Sequence, residues 1–307
     1  MGKRMRPHTL TVPKPLVPIA GKTIVERLVN SIAGMTDESI EEVAFIIGDF
    51  GKEVEVYLTS LAESIGAKGS IYYQDEALGT AHAIQCAKDS LKGKVVVAFA
   101  DTLFTSDFKI NTEDDGVIWV KQIEDPRQFG VVETNDEGTI TRFVEKPQEY
   151  VSDLAIIGIY YFKDGEYLSS ELQYLMDNNI KDKGEFQLTN AMENMKENGS
   201  KLKVGKVDQW MDCGNKNATV DTNNQILNLL EGSDELKEEN IRLENSTIIE
   251  PCYIGKDVNI VNSVIGPNVS IGEGTEVSDC RISNSIVMNF SEVKNACIDN
   301  SMLGNHV

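Results

Sequence analysis

The chain has 307 residues, enough for one large domain or two ordinary ones, and its 49 Asp and Glu against 29 Lys and Arg leave a net charge of −20. This acidic surplus repels phosphate backbones and anionic lipid, which argues against nucleic acid and membrane surfaces as partners. The longest apolar run, residues 95–100, is far shorter than the roughly 20 residues of a membrane span. No secretory signal is visible, so the sequence predicts a cytoplasmic protein.

The beginning of the chain is the exception to this acidic character. Its first 22 residues contain no acid and five bases: Lys3, Arg4, Arg6, Lys14 and Lys22. Such segregation indicates an anion site, because Arg can fork two phosphate oxygens and Lys can supply a mobile charge. A solvated basic tail is the alternative. Three prolines among the apolar residues of positions 12–21 favour a rigid, packed loop.

Up to about residue 231, short β-branched runs alternate with helical patterns, which predicts an α/β domain with a largely parallel sheet. The predicted strands cover residues 43–48, 70–73, 95–101, 117–123, 139–144 and 155–162. Apolar residues at three-to-four spacing predict helices at residues 52–65 and 80–91.

The composition changes after this region. Residues 232–244 are acidic and poor in β-branched residues, which indicates a linker. Ile248, Ile254 and Ile260 then fall six apart, as do Ile265-Gly266 and Ile271-Gly272. This spacing is typical of hexapeptide β-helices, in which three hexads close one coil; a small β-domain with chance spacing is the alternative. We therefore predict domains at residues 1–231 and 245–307, the second a short and incomplete β-helix of about three coils.

Two aspartates stand at the ends of apolar segments. Asp101 follows the run at residues 95–100 and so lies at the mouth of a buried strand, where α/β sheets bind ligands. Asp212 also follows an apolar aromatic segment. The two carboxylates are candidates to share Mg²⁺, which accepts one or two carboxylates and fills its remaining positions with water and phosphates. A turn former or helix cap is the alternative at either position.

Gln74 ends the predicted strand at residues 70–73. Its amide oxygen can accept from N3–H of uracil or thymine while its NH₂ donates to an adjacent carbonyl, whereas guanine would be better served by a carboxylate. Gly79 and Thr80 open the following helix, where a backbone without a side chain can approach a base. A surface glutamine is the alternative.

Glu145 and Lys146 form a second candidate site. Lys146 can neutralise an anion such as a phosphate and Glu145 can accept from hydroxyl groups, beside a hairpin that includes Gly130. The alternative is a surface ion pair worth under about 1 kcal/mol.

Cysteines and histidines carry no recognisable metal or catalytic pattern. The five cysteines include no C-x-x-C pair, and we expect them to be reduced and mostly buried. None of the three histidines has a spaced partner.

Six blocks of the chain together resemble one enzyme family. Residues 2–9 and 13–18 are similar to the second half of the G-x-G-T-R-L-x-P-L-T…P-K-P-L-x-P signature of the sugar-1-phosphate nucleotidyltransferases. Five further blocks match that family in order: residues 74–81, 99–101, 143–147, 184–189 and 210–214. The family also has a strand and a first loop Gly before the position of Gly2, so we expect the first strand and part of the Gly-rich loop to be missing here.

The resemblance implies a fold and a set of residue roles. The fold is a Rossmann-like α/β domain with a mixed, mostly parallel sheet, followed by a left-handed parallel β-helix. The implied roles are catalysis for Arg4 and Lys14; nucleotide binding for Gly2, Arg4, Gln74, Gly79 and Thr80; sugar-phosphate binding for Gly130, Glu145, Lys146, Gly158 and Glu185; and Mg²⁺ binding for Asp101 and Asp212.

The implied reaction transfers a nucleotidyl group from dTTP or UTP to a sugar 1-phosphate, in the first place glucose 1-phosphate, and releases pyrophosphate. A GDP-mannose pyrophosphorylase and a non-catalytic regulatory subunit are the alternatives. We expect a homo-oligomer in which the β-helix serves assembly and not a second reaction, because it is short and has no positioned histidine.

Overall fold

The computed structural model describes residues 5–10, 12–105 and 109–307, and the chain forms two compact units. Unit one contains the chain up to Leu28, Ala100–Leu103 and Met211–Val307, and unit two contains Val29–Phe99 and Phe104–Trp210. The basic N-terminal loop thus belongs to the same unit as the C-terminal region. The domain boundaries around the linker at residues 232–244 stay predictions.

The described residues form six α-helices: α1 (Ile24–Gly34), α2 (Lys52–Ser64), α3 (Thr80–Cys86), α4 (Gly165–Asp177), α5 (Leu188–Glu197) and α6 (Lys216–Leu229). Short 3₁₀ helices occur at His8–Leu10, Lys14–Leu16, Lys88–Ser90 and Asp234–Leu236. The strands before the C-terminal region are β1 (Pro18–Ile19), β2 (Lys22–Thr23), β3 (Glu42–Ile47), β4 (Lys68–Tyr73), β5 (Val95–Ala98), β6 (Thr102–Thr105), β7 (Gly116–Gln122), β8 (Gly130–Thr134), β9 (Ile140–Glu145), β10 (Leu154–Phe162), β11 (Leu202–Lys206) and β12 (Gln209–Asp212).

The strands of the C-terminal region are β13 (Arg242–Glu244), β14 (Thr247–Ile248), β15 (Cys252–Ile254), β16 (Asn259–Val261), β17 (Val264–Ile265), β18 (Val269–Ile271), β19 (Glu276–Ser278), β20 (Arg281–Ser283), β21 (Ser285–Val287), β22 (Glu292–Lys294), β23 (Cys297–Asp299) and β24 (Met302–Leu303).

Unit two is built around a six-stranded mixed sheet of order β11-β7-β10-β8-β9, with β5 also paired to β10. The mixed α/β class is confirmed, but the predominantly parallel pairing that we expected does not occur in this sheet. β10 is antiparallel to β5, β7 and β8, and only the β11–β7 pair is parallel. The reason is the connection from β7 to β10, which runs through the β8–β9 hairpin and not through a crossover helix.

The parallel crossover that the alternation predicted occurs once, in the β3–α2–β4 segment. There β3 and β4 pair in parallel, from Glu42 opposite Lys68 to Ile47 opposite Tyr73, in a separate two-stranded sheet. α2 supplies the crossover that a parallel pair requires, and it packs on β4.

Helices α3, α4 and α5 pack against one another, and their apolar side chains join those of the sheet in one core. α4 begins at a clear signal, since Asp164 Oδ1 accepts from Tyr167 N at 2.8 Å. Its inward face carries Leu168, Leu172 and Leu175, all with no exposed surface.

The C-terminal region of unit one is a β-helix of three parallel sheets, each with four strands. Ile260, Ile265, Ile271 and Ile282 point inward with no exposed surface, which confirms a stacked aliphatic core. Its left-handed sense stays a prediction. Four strands in each sheet also exceed the three coils that we expected.

The coils are shorter than three full hexads, which would take about 18 residues. Leu243 pairs with Ile260 and Ile260 with Val277, 17 residues apart, whereas Val277 pairs with Val293 after 16. The strict six-residue rhythm therefore alternates with five-residue steps, which is why four strands fit in each sheet.

Two further expectations can be compared with the described residues. None of their helices is long and apolar enough to cross a bilayer. All five cysteines are free thiols, and Cys213, Cys252 and Cys280 are buried, as predicted.

Candidate active site

Lys14 is presented by a compact segment of unit one. Leu16 N donates to Pro13 O at 2.8 Å and Val17 N to Lys14 O at 3.1 Å, which closes the 3₁₀ turn. Val17 has no exposed surface, so this segment is a packed loop, as its prolines predicted. Lys14 Nζ lies 3.0 Å from Asp101 Oδ2, and the Lys14 side chain is only 14% exposed.

Asp101 and Asp212 are brought together by the backbone. Cys213 N donates to Asp101 O at 2.9 Å, so the residue after Asp212 is bonded to Asp101. The Asp212 carboxylate accepts from Gly214 N at 2.7 Å, and Thr222 of α6 donates to Asp212 O at 2.7 Å. The two aspartates and Lys14 thus form one charged cluster, which we call the lysine–aspartate cluster.

Cys213 lies inside this cluster as a neutral thiol. Its pKa is raised to about 12, chiefly by burial and also by the carboxylates of Asp212 and Asp101, whereas Thr222 and Lys14 lower it. At neutral pH this thiol is therefore protonated and contributes no charge to the cluster.

The donor set suits Mg²⁺. No group of three or more His, Cys, Asp and Glu side chains that could enclose a metal occurs in the described part of the chain. Two carboxylates in an open cluster are what a magnesium ion takes when substrate phosphates and water complete its coordination. Gly2 and Arg4, which we predicted to bind nucleotide phosphates, lie outside the described residues.

In unit two, Gln74 is held by two neighbours. Its backbone N donates to Ile47 O at 2.9 Å, which extends the β3–β4 pairing. Its side-chain Nε2 lies 3.1 Å from Gly79 O and 3.1 Å from His82 Nδ1. When His82 Nδ1 carries no proton, it accepts one amide hydrogen of Gln74 while Gly79 O accepts the other. The Gln74 amide then presents only its oxygen, as an acceptor, and not the donor–acceptor pair that the sequence suggested.

Gly79 and Thr80 pack against the segment that includes Glu185. Gly79 has φ 117°, and a Cβ there would lie 2.3 Å from Phe186 O. Ala81 N donates to Phe186 O at 2.9 Å, and Leu188 N donates to Thr80 Oγ1 at 3.0 Å. Gln187 Nε2 then donates to Glu185 Oε2 at 3.1 Å. The structure therefore joins the predicted nucleotide residues to one of the predicted sugar residues.

Gly130, Glu145 and Lys146 meet at the start of the β8–β9 hairpin. Gly130 is directly opposite Glu145, and a Cβ at Gly130 would lie 3.1 Å from Glu145 Oε2. Lys146 Nζ lies 3.2 Å from Glu145 Oε1, with the lysine half exposed and the glutamate 13% exposed. Lys183 Nζ donates to Lys146 O at 3.2 Å, so a second cation lies beside the pair.

Gly158 lies in the middle of β10. Its O accepts from Phe99 N at 2.9 Å, and a Cβ at Gly158 would lie 3.1 Å from the Phe99 ring. Unit two also has a cleft of about 580 Å³ at the ends of β7 and β11, lined in part by Lys121, Tyr150 and Lys206. The predicted site residues that the structure describes do not line that cleft.

A family model described as nucleotidyl transferase matches residues 1–228, most of the chain. The chain belongs to the nucleotidyl transferase family. The predicted resemblance is thereby confirmed, and the chain is a nucleotidyltransferase.

Two curated relatives of this family member match all or nearly all of its length, and a third matches most of it. A glucose-1-phosphate thymidylyltransferase of Streptomyces griseus is 26% identical over 100% of this chain and 90% of the relative. The low-salt glycan biosynthesis nucleotidyltransferase Agl11 of Haloferax volcanii is 27% identical over 99% and 89%, respectively. The bifunctional protein GlmU of Methanococcus maripaludis is 29% identical over 81% of this chain and 58% of the relative.

A solved structure supports the fold of this family member. A crystal structure assigned to a glucose-1-phosphate thymidylyltransferase of Bacillus anthracis, with bound sucrose, matches with a TM-score of 0.61. It is 23% identical in sequence, over 72% of this chain and 89% of that one.

His82, Lys183 and Gln187 are among the residues that contact the predicted site residues and that sequence reasoning missed. Gln187 lies in the matched block at residues 184–189 and was within reach of the same reasoning. His82 lies eight residues after Gln74, across a turn. No helical or strand periodicity predicts a contact at this separation. Lys183 is close to Lys146 only through the fold.

Proposed function

We propose that this nucleotidyltransferase transfers the nucleotidyl group of dTTP or UTP to glucose 1-phosphate. A phosphate oxygen of the sugar phosphate attacks the α-phosphorus, the bond from that phosphorus to the β-phosphate oxygen breaks, and pyrophosphate leaves. No covalent enzyme intermediate is needed, because the nucleophile is already an anion. The observation that carries the proposal is the lysine–aspartate cluster, in a chain whose curated relatives include glucose-1-phosphate thymidylyltransferases.

The site residues of unit one have the proposed role of neutralising charge on the substrates. Asp101 and Asp212 would hold Mg²⁺, which when bound neutralises phosphate oxygens and orients them. Lys14 Nζ, already drawn to Asp101 at 3.0 Å, would supply positive charge to the reacting phosphates. Arg4 would stabilise the departing pyrophosphate and Gly2 would let the backbone approach the nucleotide phosphates.

In unit two, the proposed work is base recognition by Gln74. Its Nε2 contacts Gly79 O and His82 Nδ1, and its Oε1 accepts no hydrogen bond from the residues that the structure describes. This acceptor matches a ring N–H, which thymine, uracil and guanine carry and adenine and cytosine lack. Guanine also carries an NH₂ donor, which would need a second acceptor. We therefore propose that the recognised base is a pyrimidine with an imide edge, which means thymine or uracil.

Glu145, Glu185 and Lys146 are the proposed contacts of the sugar phosphate. Glu145 would accept from sugar hydroxyls, and its carboxylate is held by Lys146 at 3.2 Å. Glu185 is oriented by Gln187 and would accept in the same way. Lys146, half exposed, would meet the phosphate, while Gly130 and Gly158 would keep the wall free of side chains.

The assay that tests this proposal measures pyrophosphate release with Mg²⁺ for each of dTTP, UTP, GTP, CTP and ATP. Each nucleotide is paired with glucose, mannose and N-acetylglucosamine 1-phosphate. We expect the highest kcat/KM for dTTP or UTP with glucose 1-phosphate. If GTP with mannose 1-phosphate is best, the assignment of Gln74 to a pyrimidine is wrong.

We further propose that the protein works in the cytoplasm as a homo-oligomer. Five free thiols suit a reducing compartment. The last coil of the β-helix ends in strands β22, β23 and β24, which pair on one side only among the described residues, and such edges are usually covered. Sedimentation should therefore give a particle heavier than the 33.9 kDa chain, whereas a monomer at all concentrations would contradict this.

A further inference from the structure

The segment that carries Lys14 continues into a tight hairpin. β1 and β2 pair with Ile19 opposite Lys22, and the two residues between them, Ala20 and Gly21, have φ 46° and 88°. Positive φ at both positions is the geometry of a type I′ turn. Ile24 N donates to Val17 O at 3.1 Å, which closes the hairpin against the 3₁₀ turn of Lys14. The orientation of this hairpin therefore sets where Lys14 lies.

The tip of the hairpin is bonded to the β-helix through one buried amide. Ala20 N donates to Asn223 Oδ1 at 2.9 Å, and Ser270 Oγ of β18 donates to the same oxygen at 2.7 Å. Asn223 is fully buried, and its Nδ2 has no hydrogen-bond partner among the described residues. The orientation of this amide thus depends on the two donors to Oδ1, of which Ser270 is the one that the β-helix supplies.

Two further contacts fix the same tip. A Cβ at Gly21 would lie 2.3 Å from the Tyr253 ring of β15, so that ring packs directly on the turn. Arg27 donates to Ile19 O and Ala20 O, both at 2.7 Å, and pairs with Glu235 at 3.0 Å. Burial lowers the pKa of Arg27, whereas Lys22 and Arg27 hold the pKa of Glu235 below its ordinary value despite its burial. The ion pair is therefore charged at neutral pH.

We propose that the β-helix positions Lys14 for the reaction, and that Ser270 and Asn223 are the positioning residues through which it does so. The inference rests on the proposed function in one respect, the role of Lys14 at the reacting phosphates. The β-helix would then contribute to the reaction that its own chain catalyses, in addition to any role in assembly. Ser270 touches no reacting atom and acts only through the hairpin.

Hydrogen exchange of the full chain tests the mechanical part without any substrate. In Ser270→Ala, the Asn223 amide loses one of the two donors that orient it, so the Ala20 amide should exchange at least about tenfold faster. Ser263→Ala is the matched control, because Ser263 is also a buried β-helix serine whose hydroxyl donates to Val261 O, and it does not contact the hairpin. Equal exchange of Ala20 in the two variants would overturn the inference.

Kinetics with the best substrate pair of the panel test the functional part. We expect kcat of Ser270→Ala to fall about fivefold or more with little change in KM, because Lys14 acts on charge that develops in the transition state. Ser270→Thr, which keeps the hydroxyl, should restore the rate, and Ser263→Ala should stay within about twofold of the parent chain. A Ser270→Ala rate equal to that of Ser263→Ala would contradict the proposal.

A double-mutant cycle separates this inference from the proposed function. If Ser270 acts through Lys14, adding Ser270→Ala to Lys14→Ala should cause no further loss of kcat. A further loss of the same size as in the parent chain would show that Ser270 supports the fold generally, and would overturn the inference. A Lys14→Ala variant with full activity would instead refute the proposed role of Lys14 and the positioning role with it, whatever the exchange rates show.

Discussion

Within the segment at residues 74–81, Gly79 is the residue at which an added Cβ should have the largest effect on stability. Its φ of 117° is strained for any L side chain, and Phe186 O would lie 2.3 Å from a new Cβ. The same carbonyl accepts from Ala81 N, so it cannot move without loss of the hydrogen bond that joins it to the first turn of α3. Conformation and space therefore both require glycine here.

We predict that Gly79→Ala lowers the free energy of unfolding by more than the roughly 1–3 kcal/mol of the backbone conformation alone. Gly51→Ala is the matched control, since Gly51 also precedes a helix with positive φ, 85°, but has no atom within 4 Å of a new Cβ. Urea unfolding of both variants measures the difference. Equal losses would show that the contact with Phe186 is unimportant.

His82 should control base selectivity although it was not predicted to have a role. Its Nδ1 engages one amide hydrogen of Gln74, so removal of the ring nitrogen frees that amide to turn and present its donors. We expect His82→Phe to lower the preference for dTTP over GTP about tenfold, close to 1.4 kcal/mol.

His82→Gln is the control for this prediction, because its carbonyl oxygen can accept from Gln74 and should preserve most of the preference. The measurement is the ratio of kcat/KM for the two nucleotides in each variant. An unchanged ratio in His82→Phe would mean that Gly79 O alone orients Gln74.

At the scale of elements, the β-helix is held at its corners by side-chain ladders. Asn245, Asn262, Asp279 and Asn295 occupy equivalent corners, each with φ near 50°. Asn245 Nδ2 donates to Asn262 Oδ1 at 2.9 Å, and Asn262 Nδ2 donates to Asp279 Oδ1 at 3.3 Å. Asn and Asp tolerate this left-handed conformation better than other residues with a Cβ, which explains why they occupy these corners.

Substitutions of Asn262 should separate the contribution of the left-handed backbone from the contribution of the ladder hydrogen bonds. We expect Asn262→Ala to lower the free energy of unfolding by about 1–2 kcal/mol for the left-handed backbone, in addition to the lost ladder bonds. Asn262→Gly should lose only the bonds and therefore be the more stable variant. Thermal unfolding of both proteins measures this order, and the reverse order would contradict the assignment of strain to this corner.

The elements that could be predicted from the sequence were those with a regular period or a motif. The strands at residues 42–47 and 154–162, helix α2 and the aliphatic rhythm from Ile254 to Val277 were predicted within a few residues. The spacing of Asn245, Asn262 and Asn295 matches the 17- and 16-residue coils, which a strict six-residue period does not predict. Helices α4, α5 and α6 were not predicted.

The candidate site was predictable to a different degree. Asp101 and Gln74 come after strands β5 and β4, as the strand predictions indicated, whereas Asp212 is the last residue of β12 and was picked out by the apolar aromatic segment before it. The antiparallel pairing of β10 could not be predicted in this way, because the direction of a strand depends on the path of the long connections before and after it. Contacts such as Lys14 with Asp101, 87 residues apart, follow from the fold and from no local pattern.

For the whole molecule, buried thiols and phenols predict a loss of stability at alkaline pH. Burial raises the pKa of Cys213 from 9.0 to about 12, that of Cys252 to about 11, and those of Tyr161 and Tyr253 from 10.0 to about 12. The unfolded chain releases these protons first, so their contribution is complete below about pH 9 and is lost as the pH rises toward 12.

We therefore expect the urea midpoint to fall steadily between about pH 9 and pH 11, with a smaller slope in Cys213→Ala. Circular dichroism at a series of pH values measures it. A midpoint that stays constant over this range would show that these groups are not buried in the folded chain.

The central claim is that the lysine–aspartate cluster performs nucleotidyl transfer, and the rate of pyrophosphate release in Asp101→Asn tests it most directly. Asp136→Asn, in an exposed turn, is the matched control. With Mg²⁺, dTTP and glucose 1-phosphate, we predict a fall in kcat of about 10²- to 10³-fold for Asp101→Asn and parent activity for Asp136→Asn. Full activity of a folded Asp101→Asn variant would contradict the account.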